Sequence, residues 1–110
     1  MANNENKEYL LRVREEIEQH YNGFTDENGE EKSLYDYLFD ALDFEITINS
    51  LFDYSSCKVW ITLGGPNVWI DTAERAIKLA WGRERESVYL NYEICDEIDS
   101  YYEDFYNMSK

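Results

Sequence analysis

The chain is short of histidine, cysteine and bases: one His, two Cys, and 10 Lys or Arg against 24 Asp or Glu in 110 residues. Each shortage removes a class of function. With a formal charge of −14, direct binding to DNA, RNA or an anionic membrane is not expected, because such binding runs on clustered Lys and Arg. His20, beside Gln19 on what reads as the exposed side of a helix, has no Cys or Ser partner in any motif context. A nucleophile needs a base within hydrogen-bond reach, so no catalytic residue is assigned and the chain is expected not to be an enzyme. Cys57 and Cys95 alone cannot form a structural zinc site. They lie far apart in sequence and fit reduced thiols better than a disulfide framework. No apolar run reaches the length of a membrane span, and no signal peptide opens the chain. The expectation is a cytoplasmic protein without cofactor or metal.

What is present argues against disorder. The hydrophobic fraction is 44% and the aromatic fraction 16%, well above disordered acidic tails. A length of 110 residues fits a single acidic domain over 1–110. Its charge is uneven. Residues 1–56 hold 14 acids and 4 bases, a net of −10; residues 57–90 hold 4 acids and 5 bases, a net of +1; residues 91–110 hold 6 acids and 1 base, a net of −5.

Leu10, Val13, Ile17 and Tyr21 recur at helical spacing and predict a helix over 5–21, ended by Gly23. Residues 22–32 read as a polar loop. Ser33 and Asp36 have capping-box spacing, with Asp in place of Glu, and open a short second helix with Leu34, Leu38 and Leu42 as its buried stripe. From Phe44 the period falls to two. Strand patterns follow at 44–49, 57–63, 68–71 and 77–81, with a short last strand marked by Val88 and Leu90. Asn91 reads as the N-cap of a final helix whose apolar stripe is Ile94, Ile98, Tyr101 and Phe105. Short turns between successive strands favour a meander. The predicted fold is a two-layer α+β domain: a four- to five-stranded antiparallel meander sheet with two N-terminal helices and one C-terminal helix. Leu10, Leu38, Ile46, Ile61, Ile70, Leu79, Ile94 and Ile98 are expected to be buried.

Two apparent sites dissolve on inspection. The loop 26–31 (DENGEE) has oxygen ligands but lacks EF-hand spacing, and reads as solvated. Gly64-Gly65-Pro66-Asn67 joins two strands rather than leading into a helix, so it reads as a hairpin turn, not a phosphate cradle. Two surfaces remain. Trp60 and Trp69, with Tyr89, Lys58, Lys78 and Thr62, fall on the sheet face opposite the core, and exposed tryptophans often mark an interface. A loop or helix covering that face is the plain alternative, and a homodimer through it is a third option.

The acidic signal is stronger. Asp96, Asp99 and Glu103 fall at spacings of three and four along one side of the last helix, and Glu97 and Asp104 form a second row beside Glu93. Asp36, Asp40 and Asp43 repeat the pattern on the second helix and its exit. Neighbours in such rows stand about 5–6 Å apart, close to the phosphate repeat along one nucleic-acid strand. Like charges at this spacing destabilise a helix by a few tenths of a kcal/mol per pair, and solubility needs far less net charge. Presenting a nucleic-acid-like field to a basic groove is a physical use for that arrangement. Tyr102 and Tyr106, interleaved with the acids, could stack on guanidinium groups.

The stretch Ile61–Thr72 (ITLGGPNVWIDT), Trp81-Gly82, Ile94-Cys95-Asp96-Glu97-Ile98-Asp99 and Tyr101-Tyr102-Glu103 resemble a group of short acidic proteins carried on plasmids and conjugative elements of Gram-positive bacteria. Some proteins from such neighbourhoods are anti-CRISPR inhibitors of Cas9. The resemblance covers about residues 34–106 and carries no functional residue across. It implies an anti-defence role in a bacterial host cell. The expected partner is a basic nucleic-acid-binding protein, Cas9 or a restriction enzyme. The alternative is a non-enzymatic interaction module binding through Trp60 and Trp69.

Overall fold

A computed structural model describes residues 2–109. Leu10, Val13 and Ile17 share one face of α1 (Ala2–Asn22), and all three are buried. Tyr21, expected to extend that stripe, sits at its exposed edge. Gly23 stops the helix. At φ +82° it adopts a left-handed conformation that disfavours side chains, and its N–H bonds back to the carbonyls of Gln19 and His20, both at 3.1 Å.

Segment 22–32 is more ordered than its composition suggests. It folds into a hairpin, β1 (Phe24–Thr25) and β2 (Glu31–Lys32). Asp26 Oδ1 organises the turn by accepting from the N–H groups of Asn28 and Glu30, both at 2.9 Å. Helix α2 (Leu34–Phe39) begins as the Ser33/Asp36 spacing predicts: the Asp36 carboxylate accepts from the Ser33 N–H at 2.8 Å. Leu34 and Leu38 are buried, but the helix has only six residues, so Leu42 leaves the stripe and is 60% exposed. Its N–H instead bonds the Trp60 carbonyl at 3.0 Å, leading the chain into the sheet.

The fold is α+β, with three helices, one of them C-terminal, and a five-stranded antiparallel sheet. The strands are β3 (Asp43–Ile48), β4 (Tyr54–Thr62), β5 (Asn67–Asp71), β6 (Ala76–Trp81) and β7 (Glu84–Tyr89), paired in sequence order. Strand β4 starts earlier than its apolar alternation, because a tight loop precedes it. There Asn49 Oδ1 accepts from the N–H groups of Leu51 (2.8 Å) and Asp53 (3.1 Å). Leu90, read as the last strand's end, lies just past β7; it is buried and its N–H bonds the Arg75 carbonyl at 2.8 Å.

The register separates two sets of side chains. Val59, Ile70, Ile77 and Val88 align across four strands and are buried with Leu10, Ile17 and Ile98 of the helices. One residue along each strand, Asp43, Trp60, Trp69, Lys78 and Ser87 align on the opposite face. Of the expected core, Ile46 and Ile61 are only half-buried at the margin. Ile46 lies on the edge strand β3, and Ile61 falls in the register shift that follows Trp60.

Helix α3 (Tyr92–Met108) is capped by Asn91, whose side chain accepts from the Glu93 N–H at 2.7 Å. It is rotated from the predicted stripe. Ile94, Cys95, Ile98 and Tyr102 are buried, while Phe105 is 47% exposed. Tyr102 packs its ring 4.8 Å from that of Phe44 on β3.

Candidate partner-binding surfaces

The sequence grouped nine acids; the structure distributes them over four environments. Glu93, Asp96, Glu97, Glu103 and Asp104 stand exposed on α3. Among the described residues, none of the five lies within ion-pair distance of a base. Glu97 accepts a hydrogen bond from the Tyr35 hydroxyl at 3.1 Å, which raises the pKa of that phenol and ties α2 to α3.

Asp99 leaves the row. It is half-buried and accepts from the Tyr54 hydroxyl at 2.6 Å, with the Cys57 thiol at 4.0 Å. Burial and then the Asp99 hydrogen bond keep Tyr54 protonated far above the ordinary phenol range. This carboxylate holds β4 against α3.

Asp36 and Asp40 lie on α2. The Ser33 N–H holds the Asp36 carboxyl below the usual carboxylate range. Asp40 is the C-cap of α2 and lines a shallow hollow with Glu16 and His20 of α1. Asp43 heads β3 on the opposite sheet face, aligned with Trp60. Continuous numbering suggested one surface because sequence spacing does not show where a chain leaves a helix.

Two further expectations are corrected. Tyr102 is only 2% exposed, so it supports the core and cannot reach a partner. The rotation of α3 that buries Cys95 carries Tyr102 inward with it. His20 is half-buried rather than outward: its ring lies 4.9 Å from that of Phe24 and 5.0 Å from that of Tyr37. Tyr106 donates its hydroxyl to the Phe52 carbonyl at 2.7 Å, pinning the loop before β4 to α3.

The aromatic face is built on β4 and β5. Trp60 and Trp69 are cross-strand partners with ring centroids 4.9 Å apart and planes tilted by 33°. Both are half-buried. The Trp69 Nε1–H is buried without an acceptor. Beside it, Trp69, Lys78, Arg85 and Ser87 line a depression of about 350 Å³. Lys78 pairs with Asp71 at 3.6 Å and with Glu74, and the Glu74 hydrogen bond raises its pKa. Tyr89, placed on this face by its register with Ala76, is 58% exposed. Sequence reasoning missed Arg85 here; the β6–β7 alignment with Ala80 is what places it on the face.

The cysteines are buried thiols. Burial pushes Cys57 up to about 11 and Cys95 up to about 12, so neither offers a thiolate near neutral pH. Among the described residues, no group of three or more His, Cys, Asp or Glu side chains is placed to hold a metal ion. No helix there is long and apolar enough to cross a membrane. The chain matches no protein-family model, no curated protein and no solved structure.

Proposed function

We propose that this chain is an anti-defence inhibitor of a basic nucleic-acid-binding protein, with Cas9 as the target and restriction enzymes as the close variant. The observation that carries the reading is the exposed side of α3: Glu93, Asp96, Glu97, Glu103 and Asp104, with no base among the described residues within ion-pair reach. Glu97 also accepts from Tyr35, but the negative charge of all five is left unbalanced among the described residues and is available to a partner. In the target, Arg and Lys that normally hold DNA or guide RNA would meet these carboxylates in charge-assisted hydrogen bonds. The arginine-bearing cleft that reads the PAM and the basic nucleic-acid channels are the matching surfaces in Cas9. The resemblance to acidic proteins of Gram-positive mobile elements supports the same reading, in which the protein would act in the cytoplasm of a bacterial host cell.

The domain is read as two layers, helices over a sheet, with α3 held rigidly by Ile94, Ile98, Tyr102 and the Tyr54–Asp99 bond. Rigidity keeps the carboxylate rows in register, which lowers the ordering cost on binding.

The test is inhibition of Cas9–guide cleavage and DNA binding as salt is raised, using the native chain and the variant Asp96→Asn/Glu103→Gln/Asp104→Asn. Asp99 stays intact in that variant. Native inhibition should compete with DNA and weaken steeply with salt. The triple variant should stay folded and lose at least about 2 kcal/mol of binding if the acids meet bases in a desolvated groove. A triple variant that inhibits like the native chain removes α3 from the mechanism. Inhibition that is instead lost on Trp60→Ser/Trp69→Thr, with little salt dependence, supports the second reading. That reading is a non-enzymatic module binding through its stacked tryptophans.

A further inference from the structure

Where α2 meets the C-terminal half of α3 there is an apolar hollow of about 220 Å³, lined by Leu38 and Phe39 of α2, by Ala41 just beyond it, and by Tyr101 and Phe105 of α3. Its lining is open to solvent: Phe39 is 82% exposed and Phe105 is 47% exposed. Two phenyl rings bordering one hollow make an apolar patch rather than scattered single residues. Glu97 and Asp104 bracket it along α3. They lie seven positions apart, with Tyr101 between them and Phe105 next to Asp104, so all four share one side of the helix. Glu97 accepts from the hydroxyl of Tyr35, whose ring lies 5.7 Å from that of Tyr101. The pKa of that phenol is raised first by Glu97, and among the lesser causes by the charge of Asp104. Both carboxylates therefore stand at the seam between the two helices. We propose that this seam binds a helical segment of another protein, one that carries a large apolar side chain bracketed by Lys or Arg, with bases at i and i+7 and the apolar anchor at i+3 or i+4.

Size, charge and spacing each narrow the occupant. Pockets for drug-sized molecules run to about 300–1,000 Å³; this hollow is smaller, and suits a single side chain seated from another protein. Neither Glu97 nor Asp104 has a base within ion-pair distance among the described residues, so the bracketing groups of the partner are cationic. A second copy of the chain would bring its own net charge of −14 against these acids. Seven residues of helix rise about 10 Å. A partner helix lying along α3 matches both carboxylates when its own bases are also seven residues apart, and its anchor then falls against Tyr101 and Phe105. An amphipathic helix laid into an apolar groove is a recurrent mode of recognition, and a buried apolar anchor ringed by charged contacts is how binding energy is commonly concentrated. The proposal concerns the segment that the seam takes and does not rest on the inhibitor reading, so either can fail alone.

The probe is a synthetic alanine-based helical peptide with lysines at i and i+7 and leucine at i+4, titrated into the full chain and followed by amide NMR shifts. The expected result is saturable binding with the largest shifts at Phe39, Ala41, Tyr101 and Phe105. The same peptide with serine in place of the leucine should bind at least about tenfold more weakly, and so should the leucine peptide to Phe39→Ser. That variant should keep the native circular dichroism spectrum, because the ring it removes is mostly in solvent. Glu97→Gln/Asp104→Asn should weaken binding about threefold or more, while Glu15→Gln/Glu18→Gln, an equal change of charge on exposed residues of α1, should leave it within about twofold. No saturable binding overturns the proposal. So do equal affinities for the leucine and serine peptides, native affinity in Phe39→Ser, or equal effects of the two charge variants. Shifts at the seam that grow with the concentration of the chain alone would give the hollow to a second copy and overturn it too.

Discussion

On the exposed side of α3, five carboxylates stand without a base in reach among the described residues; on the open face of the sheet, Lys78 is held by both Asp71 and Glu74. Both faces are rich in charge, yet only one balances it. Glu93 and Glu97 lie one turn apart, a like-charge pair that destabilises a helix by a few tenths of a kcal/mol. The sheet face pays no such penalty, because its acids and bases alternate across strands. Charge on the sheet therefore has a local structural account; on the exposed side of α3 only Glu97, through Tyr35, has one among the described residues. That difference is the reason to look for a partner on α3.

The comparison is broken or sharpened first by two consecutive residues of β6. Ile77 is buried under the helices, and Lys78 is on the open face. Ile77→Ala should lower stability by about 2–5 kcal/mol, as core truncations do. Lys78→Ala should lower it less, by about 1–3 kcal/mol, because it leaves the buried Asp71 carboxylate without its base. Equal losses in urea denaturation would mean that the open face is in fact covered. The next largest contrast lies within α3. Asp99→Ala leaves the Tyr54 hydroxyl without its acceptor and should destabilise by about 1–3 kcal/mol. Asp96→Ala should be neutral or slightly stabilising, because it removes an exposed charge from an overcharged helix. If the two behave alike, Asp99 belongs with the surface row after all.

The smallest effect is at Asp36, an exposed acid that does have a structural task. Its folded pKa lies below the unfolded value. The stability it adds is thus present above the unfolded value of about 3.9, and is lost as pH falls through the folded one. Asp36→Asn should remove that acid step from α2, and it should lower neutral-pH stability by the same small contribution. Amide exchange at Ser33 followed through an acid titration reads it directly. A step that persists in the variant would assign it to another carboxylate.

Much of the architecture was legible because it depends on local rules. Period-two alternation located the strands of the meander, Gly23 and Asn91 marked helix ends, and Ser33 with Asp36 announced α2. What stayed hidden depends on long-range geometry. The hairpin at 24–32 is two residues per strand and rests on the Asp26 side chain rather than on any apolar pattern. The inward turn of Tyr102 follows from Phe44, which lies 58 positions earlier in the chain. At the candidate surfaces, composition identified the acids and the tryptophan pair. It could not tell a carboxylate that serves the fold, Asp99, from one free of it, Asp96, because the distinguishing partner, Tyr54, comes from another strand.

The strict sequential order of the sheet also bears on how the chain folds. Every strand pairs with the one made just before it, so each hairpin closes over a short loop and none waits for a distant segment. Helix α1 is the exception. It packs on β6 and β7, and Arg14 donates to the Tyr89 carbonyl at 3.1 Å across 75 positions of sequence. The meander can therefore zip progressively while α1 waits for the last strands to form. Mutations on the docking side of α1, such as Leu10→Ala, should mainly accelerate unfolding, whereas changes at the β4–β5 turn should slow folding itself.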